Sequence, residues 1–296
     1  MRLNRRCVSF VAFSCMVLIP GLGSSQAMSE DQSVVEALNL LELWVGATRD
    51  YEQIPAVSAA VVYDQELLWS EGFGFADLES KRPATPATMY SICSISKLFT
   101  SVAAMQLRDQ GRFRLDDPVS SILPWFQLEN AHPEGPTITV EGLMTHSAGI
   151  PRESDHPYWT DPFEFPTHDE VVSGITNQTT LYPAWKYFQY SNLGLTLVGE
   201  VVAETSGMSY VDYVKQRVLT PLGMDSTTPE IAEVQGTSRL ATGYSAVLRE
   251  GGRKKVEPFE GLGIAPAMGF ASTVEDLATF ASWHFRVLGG EEGEVL

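Results

Sequence analysis

Two apolar, β-rich segments near the start of the chain, residues 57–63 and 67–75, place the strongest limit on its fold. The polar residues Asp64, Gln65 and Glu66 separate them, and two such runs joined by a short polar link are typical of a β-hairpin. Most of the sequence after this hairpin has the spacing of amphipathic helices. Helices that follow an antiparallel start, without alternating strands, favour an α+β fold with helices packed against one sheet.

Three segments predict longer helices. The first runs from about Ile95 to Gly111 and repeats its apolar residues every three or four positions. The other two cover about residues 193–205 and 274–285, and each has an apolar face. Thr139 is placed to cap a further short helix.

The composition restricts the classes of partner. The 296 residues include 20 Lys and Arg against 37 Asp and Glu, which gives a formal net charge of -17. Nucleic acid binding depends on basic side chains that displace counterions from phosphates. The acidic balance therefore argues against DNA, RNA and polybasic membrane attachment, and the length allows a substantial hydrophobic core.

Residues 1–27 have the three parts of a secretory signal peptide. Three arginines come first, an apolar run of 13 residues follows, and small residues precede position 28. The run is shorter than the ~20 residues that span a bilayer. We therefore expect an exported protein, periplasmic or secreted, with no stable membrane span in its mature chain. The mature domain, residues 28–296, would keep only Cys93, so we expect no intramolecular disulfide.

Ser94 and Lys97 form an S-x-x-K sequence at the start of the first long helix. Three positions apart on a helix, the two side chains share one face, and the positive end of the helix disfavours a protonated lysine. A neutral lysine can take the serine proton, so the pair predicts a nucleophile that works without histidine. A capping serine followed by a surface lysine is the alternative, because the pattern is common.

A second motif, Tyr190-Ser191-Asn192, immediately precedes the second long helix. A tyrosine phenol beside a lysine can serve as an acid or a base, and an asparagine amide can orient the lysine and a substrate. Ser191 or Asn192 also suits the N-cap of that helix, so a purely capping role stays open.

Together and in this order, the two motifs resemble those of the serine β-lactamase and penicillin-binding-protein superfamily, in particular its class C β-lactamase-like branch. The similarity extends over nearly the whole chain after residue 27. Further matching stretches are 71–77, 111–118, 143–151, 221–225, 241–244 and 269–277. The resemblance implies a three-layer α/β/α sandwich, with an antiparallel sheet flanked by helices and an all-helical subdomain.

By this resemblance, Ser94 matches the acylated nucleophile, Lys97 and Tyr190 the proton-transfer groups, and Asn192 a substrate-binding amide. The implied protein is a serine hydrolase that acts on a β-lactam, a D-amino-acid peptide or an ester, with no cofactor and no metal. A carboxylesterase of the β-lactamase-like type is one alternative. The alternative from another class is a catalytically silent penicillin-binding sensor or an inactive fragment.

The sequence departs from this family at a third element. Relatives have a Lys or His followed by a small residue and Gly on a core strand that lines the site. The lysines and histidines after Tyr190 do not continue in this way; they are Lys215, Lys254, Lys255 and His284. We therefore expect the domain to be truncated at its C-terminal side, without its last core strands.

Other residues suggest weaker alternatives. Cys93 adjoins Ser94, and a thiol hydrolase that uses His146 is conceivable, although a single cysteine at a helix start is usually a packing residue. His146 better suits a structural role in its turn. The remaining histidines lack metal-ligand spacing, so no metal site is predicted. The aromatic residues of 158–190 indicate either a wall for an acyl group or packing that orders a long loop.

Overall fold

The predicted hairpin forms the longest pair of strands. Strand β1 (Ala56–Tyr63) pairs antiparallel with β2 (Glu66–Asp77), and a short strand β3 (Arg82–Pro83) pairs with the other edge of β2. The link between the strands is shorter than predicted, because Glu66 already pairs with Tyr63. Asp64 turns the chain with a φ of 55°, a conformation that aspartate tolerates better than most residues.

The structure, a computed structural model, describes residues 28–156, 159, 163–291, 293, 295 and 296. The predicted signal peptide, residues 1–27, lies outside them. In chain order the helices are α1 (Gln32–Tyr51), α2 (Ser96–Asp109), α3 (Val119–Ile122), α4 (Val140–Met144), α5 (His168–Gly174), α6 (Asn192–Ser206), α7 (Tyr210–Val214), α8 (Thr220–Leu222), α9 (Ala265–Met268) and α10 (Val274–Leu288). The remaining short strands are β4 (Tyr90–Ser91), β5 (Gly243–Tyr244), β6 (Lys255–Val256) and β7 (Ala271–Ser272).

The three longer helices predicted from periodicity are present as α2, α6 and α10. Helix α2 ends before Gly111, which takes a φ of 70°, as a helix-ending glycine often does. Ser191 caps α6 by accepting a hydrogen bond from a backbone N–H of its first turn. Thr139 caps α4 in the same way, as predicted. These caps satisfy N–H groups that have no partner within the helix.

The hydrophobic core lies mainly among the helices. Ten residues of α6 are buried, whereas Ala76 is the single buried residue of the β1–β2 hairpin. Helices α2, α6 and α9 pack against one another, and α1 and α10 pack against the hairpin. Phe99 of α2 stacks on Phe270 and Phe280, with ring centroids 5.2 and 4.3 Å apart. This arrangement of mixed helices and antiparallel strands confirms the α+β fold class.

A two-stranded pairing brings distant parts of the chain together beside α2. In it, β4 lies antiparallel to β7, with Tyr90 opposite Ser272. The Ile92 N–H extends this contact by donating to the Phe270 carbonyl at 2.9 Å. The residues just before Ser94 are thereby fixed against the segment that follows α9. Among the described residues, no helix is both long and apolar enough to cross a membrane.

Candidate active site

Ser94 lies in a 3₁₀ turn, Cys93–Ile95, that leads directly into α2. Ser96 fixes this turn, because its hydroxyl donates to the Cys93 carbonyl at 2.5 Å and accepts from the Phe270 N–H at 3.1 Å. Cys93 itself takes a φ of 43°, a left-handed conformation that is uncommon outside glycine. The turn presents the Ser94 side chain at the beginning of the helix, where the sequence predicted it.

Lys97 is buried one helical turn after Ser94, with 7% of its surface exposed. Its Nζ lies 3.1 Å from the Ser94 Oγ, and it donates to the Asn192 Oδ1 and the Ala267 carbonyl, each at 2.8 Å. The alternative of a surface lysine is therefore wrong. Burial lowers the pKa of Lys97, because a charged ammonium loses hydration there.

Tyr190 completes the cluster from the other side of Ser94. Its hydroxyl donates to the Ser94 Oγ at 2.8 Å, so the oxygen contacts both the lysine and the tyrosine. The Lys97 Nζ lies 4.9 Å from the centre of the Tyr190 ring, and the Arg152 guanidinium lies 5.1 Å from it. All four residues predicted for the site, Ser94, Lys97, Tyr190 and Asn192, therefore meet at one place.

Asn192 has a role beyond the helix start. The capping position belongs to Ser191, and Asn192 is the first residue of α6, with only 3% of its surface exposed. Its amide oxygen accepts from Lys97, while its Nδ2 donates to both carboxylate oxygens of Glu153, at 2.9 and 3.0 Å. The amide therefore joins the lysine to a carboxylate that the sequence had not indicated.

A loop between α4 and α5 holds the Tyr190 segment in place. The Gln189 N–H donates to the His146 carbonyl at 2.7 Å, and the Ser191 N–H donates to the His146 Nδ1 at 3.1 Å. His146 thus fixes the backbone on both sides of Tyr190. Its ring also packs on the Tyr190 ring, with centroids 4.5 Å apart. Further along the loop, the Arg152 carbonyl accepts from the Asn192 N–H at 2.7 Å.

These contacts agree with the structural role predicted for His146. Burial, and secondarily the charge of Lys97, lowers the pKa of His146, which favours the neutral ring that Nδ1 needs as an acceptor. The thiol alternative has no support in the described part of the chain, since the Cys93 Sγ contacts the Ser91 Oγ at 3.7 Å and the ring of His146 is engaged with Ser191 and Tyr190.

Sequence reasoning missed three further groups of the site: Arg152, Glu153 and the Ala267 carbonyl. Glu153 accepts a hydrogen bond from the Arg152 Nε at 2.9 Å in addition to those from Asn192. The sequence carries no separate signal for them. Arg152 and Glu153 come directly after the matching stretch 143–151 and form no motif of their own, and a backbone carbonyl such as that of Ala267 has no signature in the residue type.

The aromatic residues before Tyr190 divide into two groups. Trp185, Tyr187 and Phe188 are exposed, and the Phe188 ring packs edge-on against the His146 ring, 5.6 Å away. Phe165, in contrast, is buried and stacks on Phe259. The packing interpretation therefore holds for Phe165, the acyl-wall interpretation of the exposed rings stays a prediction, and Tyr158 lies outside the described residues.

Two of the four residues considered for the third motif contact groups outside the Ser94 site. Lys215 forms an ion pair with Glu233, and the His284 Nδ1 contacts the Phe280 carbonyl at 2.9 Å. Within the described residues, no group of three or more His, Cys, Asp and Glu side chains is arranged to hold a metal ion.

An α+β fold in which Ser94, Lys97 and Tyr190 share hydrogen bonds defines a class, the proteins of the β-lactamase and penicillin-binding-protein fold. The comparison with protein families agrees. The model of the family described as Beta-lactamase matches residues 42–295, and the chain belongs to the β-lactamase family.

Two curated relatives share about 30% of their residues with this chain over the matched segments. The chain is 31% identical over 233 residues to the Beta-lactamase-like protein 2 of Dictyostelium discoideum, a match that covers 77% of this chain and 42% of the relative. It is 30% identical over 175 residues to the Protein flp of Staphylococcus aureus strain MW2, covering 59% of this chain and 35% of the relative. The matches therefore span less than half the length of these two curated relatives.

A solved structure is also similar. The octameric penicillin-binding protein homologue from Pyrococcus abyssi superimposes with a TM-score of 0.75 at 28% sequence identity. The match covers 88% of this chain and 58% of that chain. It supports the predicted superfamily and the fold around the clustered residues.

Proposed function

We propose that this protein is an exported serine hydrolase in which Ser94 attacks an acyl carbonyl and forms an acyl-enzyme. The observation that carries the proposal is the pair of contacts on the Ser94 Oγ, from the buried Lys97 amine and from the Tyr190 hydroxyl. Export depends on residues 1–27, which lie outside the described residues, and stays a prediction.

The surroundings of Lys97 suit a proton acceptor. A neutral amine has two N–H groups and one lone pair. The Asn192 and Ala267 carbonyl oxygens accept two hydrogen bonds from Nζ, so the lone pair is left for the hydroxyl proton of Ser94. Because burial lowers the pKa of Lys97, this neutral form becomes available closer to neutral pH than for an exposed lysine.

The proposed reaction follows from these positions. The Ser94 Oγ bonds to the carbonyl carbon while its proton moves to Lys97. Tyr190 passes a proton to the leaving nitrogen or oxygen as its bond to the carbonyl carbon breaks. Water then attacks the ester on Ser94, its proton returns through the same groups, and the acid product leaves with Ser94 restored.

The substrate class we propose is a β-lactam, a D-amino-acid peptide or an ester. The family match supports an acyl substrate without distinguishing among these three. The exposed apolar side chains near the motifs, Leu98 on α2 and Phe188 before Tyr190, favour an acyl or leaving group with apolar character. A carboxylesterase is accordingly the alternative within the same class of enzyme.

A labelling experiment tests the proposal. Ser94→Ala should abolish labelling by a fluorescent penicillin and by a fluorophosphonate, because the attacking oxygen is gone. Ser91→Ala, at an exposed serine three residues away, is the matched control and should label like the wild type. Labelling of Ser94→Ala at the wild-type rate would refute the assignment of the nucleophile.

Turnover separates an enzyme from a silent sensor. A chromogenic cephalosporin and a short-chain nitrophenyl ester are each followed to many equivalents of product per protein. Continued release with one of them identifies the substrate class. Release of one equivalent of product per protein, with no further release, would instead indicate the penicillin-binding sensor.

A further inference from the structure

Glu153 is the carboxylate that contacts the Asn192 amide on the side away from Lys97. Its carboxylate is largely buried, with 20% of the side chain exposed. Both carboxylate oxygens accept from the Asn192 Nδ2, at 2.9 and 3.0 Å. Burying a carboxylate is costly unless hydrogen bonds compensate it, so this arrangement is a built feature of the site.

The amide of Asn192 has two chemically different ends, and each end faces a group that suits it. Its oxygen can only accept, and it faces the Lys97 amine at 2.8 Å. Its nitrogen can only donate, and it faces the carboxylate of Glu153. If the amide rotated by half a turn, its oxygen would face a carboxylate and its NH₂ would face an amine. The hydrogen bond from Lys97 and both contacts with Glu153 would be lost, so Glu153 favours the orientation that serves Lys97.

The position of Glu153 is itself fixed by several contacts. The Arg152 Nε donates to one of its oxygens at 2.9 Å, and the Gln178 Nε2 donates to its backbone carbonyl at 2.8 Å. The neighbouring Arg152 carbonyl accepts from the Asn192 N–H at 2.7 Å. The Glu153 side chain therefore binds the Asn192 side-chain amide, and the Arg152 backbone binds the Asn192 main chain.

We propose that Glu153 is a positioning residue, which holds the Asn192 amide with its oxygen toward Lys97. This inference rests on the proposed function, since acylation of Ser94 is its readout. Glu153 acts through Asn192, and its negative charge lies on the side of the Asn192 amide that faces away from Lys97. Without that carboxylate, the amide is free to rotate and Lys97 loses a fixed acceptor.

The charge of Glu153 gives a second, independent consequence. Lys97 faces four titratable or charged side chains, which are His146, Arg152, Glu153 and Tyr190, while α9 contributes only the Ala267 carbonyl. Burial lowers the pKa of Lys97, and the Glu153 charge partly opposes that effect. Removing the charge should therefore lower the pKa of Lys97 further, and the acid limb of the rate profile should move to lower pH.

Two substitutions separate the hydrogen bond from the charge. Glu153→Ala removes both, and Glu153→Gln keeps an oxygen that accepts from the Asn192 Nδ2 but carries no charge. The measurement is the rate of acylation by a fluorophosphonate between about pH 5 and pH 11, a range spanning the ordinary pKa values of histidine and lysine. Glu134→Gln, at an exposed glutamate, is the matched control for loss of one negative charge.

We expect Glu153→Ala to slow acylation by about ten- to a hundredfold, since a small misplacement of reacting groups has effects of that size. Glu153→Gln should be slowed by a smaller factor, and its acid limb should lie at lower pH than in the wild type or Glu134→Gln. Thermal unfolding of each variant identifies any loss of fold, and the milder Glu153→Gln keeps the test valid if Glu153→Ala fails to fold.

Two results would overturn the inference. One is a wild-type rate and pH profile in both Glu153 variants. The other is a Glu153→Gln variant as slow as Glu153→Ala with an unshifted acid limb, which would mean that the position tolerates no change for reasons of packing alone. Ser94→Ala measured in parallel separates the two proposals. Persistent labelling there refutes the nucleophile and with it the readout, whereas loss of labelling there together with a wild-type rate and pH profile in both Glu153 variants refutes the role of Glu153 alone.

Discussion

Gly149 connects the packing of the fold to the site, and its replacement gives a sharp test. It lies in the loop between α4 and α5 and takes a φ of 72°. Its carbonyl accepts from the Leu181 and Tyr182 N–H groups at 2.8 and 3.3 Å. A Cβ added at this position would lie 2.1 Å from the Tyr182 carbonyl oxygen. An ordinary contact begins at 3.4 Å, so Gly149→Ala must displace one of the two backbone segments.

The cost of Gly149→Ala has two parts. A left-handed conformation costs a residue with a Cβ about 1–2 kcal/mol, and forcing extra volume into a packed region costs about 1–3 kcal/mol more. Gly207 supplies a matched control, because it has a φ of 70° and no heavy atom lies within 4 Å of its added Cβ. Gly207→Ala should therefore be destabilised only by the cost of the left-handed conformation.

Urea unfolding of the two variants and the wild type measures the difference. The free energy of unfolding follows from the midpoint and the slope of each curve. We expect Gly149→Ala to lose about 2–5 kcal/mol and Gly207→Ala about 1–2 kcal/mol. Gly149→Ala should also label more slowly at Ser94, because the displaced loop holds the Tyr190 segment. Equal destabilisation of the two variants would refute the steric argument.

Three further predictions follow from individual contacts. Tyr190→Phe removes the hydroxyl that lies 2.8 Å from the Ser94 Oγ and should slow acylation by about 10²- to 10⁴-fold, with unchanged thermal unfolding. The pKa of His146 is lowered in the folded protein. Its contribution to stability is therefore complete above the pKa of an unfolded histidine, and it is lost as pH falls from that pKa toward the lower pKa of the folded state. Between pH 7 and pH 5, His146→Asn should consequently lose less free energy of unfolding than the wild type. Gly199→Ala places a Cβ 2.3 Å from Pro266, next to the Ala267 carbonyl that binds Lys97, and should lower both the unfolding midpoint and the acylation rate.

Local features of the fold could be predicted because their cause lies within a few residues. The two β-rich runs and the polar link between them predicted β1 and β2 to within a few residues. The apolar spacing of α2, α6 and α10 needed only their own side chains, since one face of each helix must be buried. Helix ends were less accurate: α10 continues three residues beyond the predicted end at residue 285, because nothing in its last turn stops it before Gly289.

The contact between the two motifs, unlike these local features, depends on residues far apart in the sequence. Ser94 and Lys97 are neighbours on one helix, but Asn192 follows Lys97 by 95 residues and Ala267 follows it by 170. Only the packing of α2 against α6 and α9 brings these acceptors to the same amine. The resemblance to a family indicated Tyr190 and Asn192 in advance, and periodicity alone would have left them as a possible helix cap.

The sequence by itself determined the α+β class, the three longer helices, the serine and lysine on one helix face, and the acidic balance. These properties depend on residue type and spacing along the chain, which the sequence records directly. The tertiary structure decided that Lys97 is buried, that Ser191 rather than Asn192 caps α6, and that the Asn192 amide lies between Lys97 and Glu153. Those outcomes depend on which residues, distant in sequence, exclude water from the Lys97 amine and which oxygen atoms lie within 3 Å of it. Folding of the whole chain decides both.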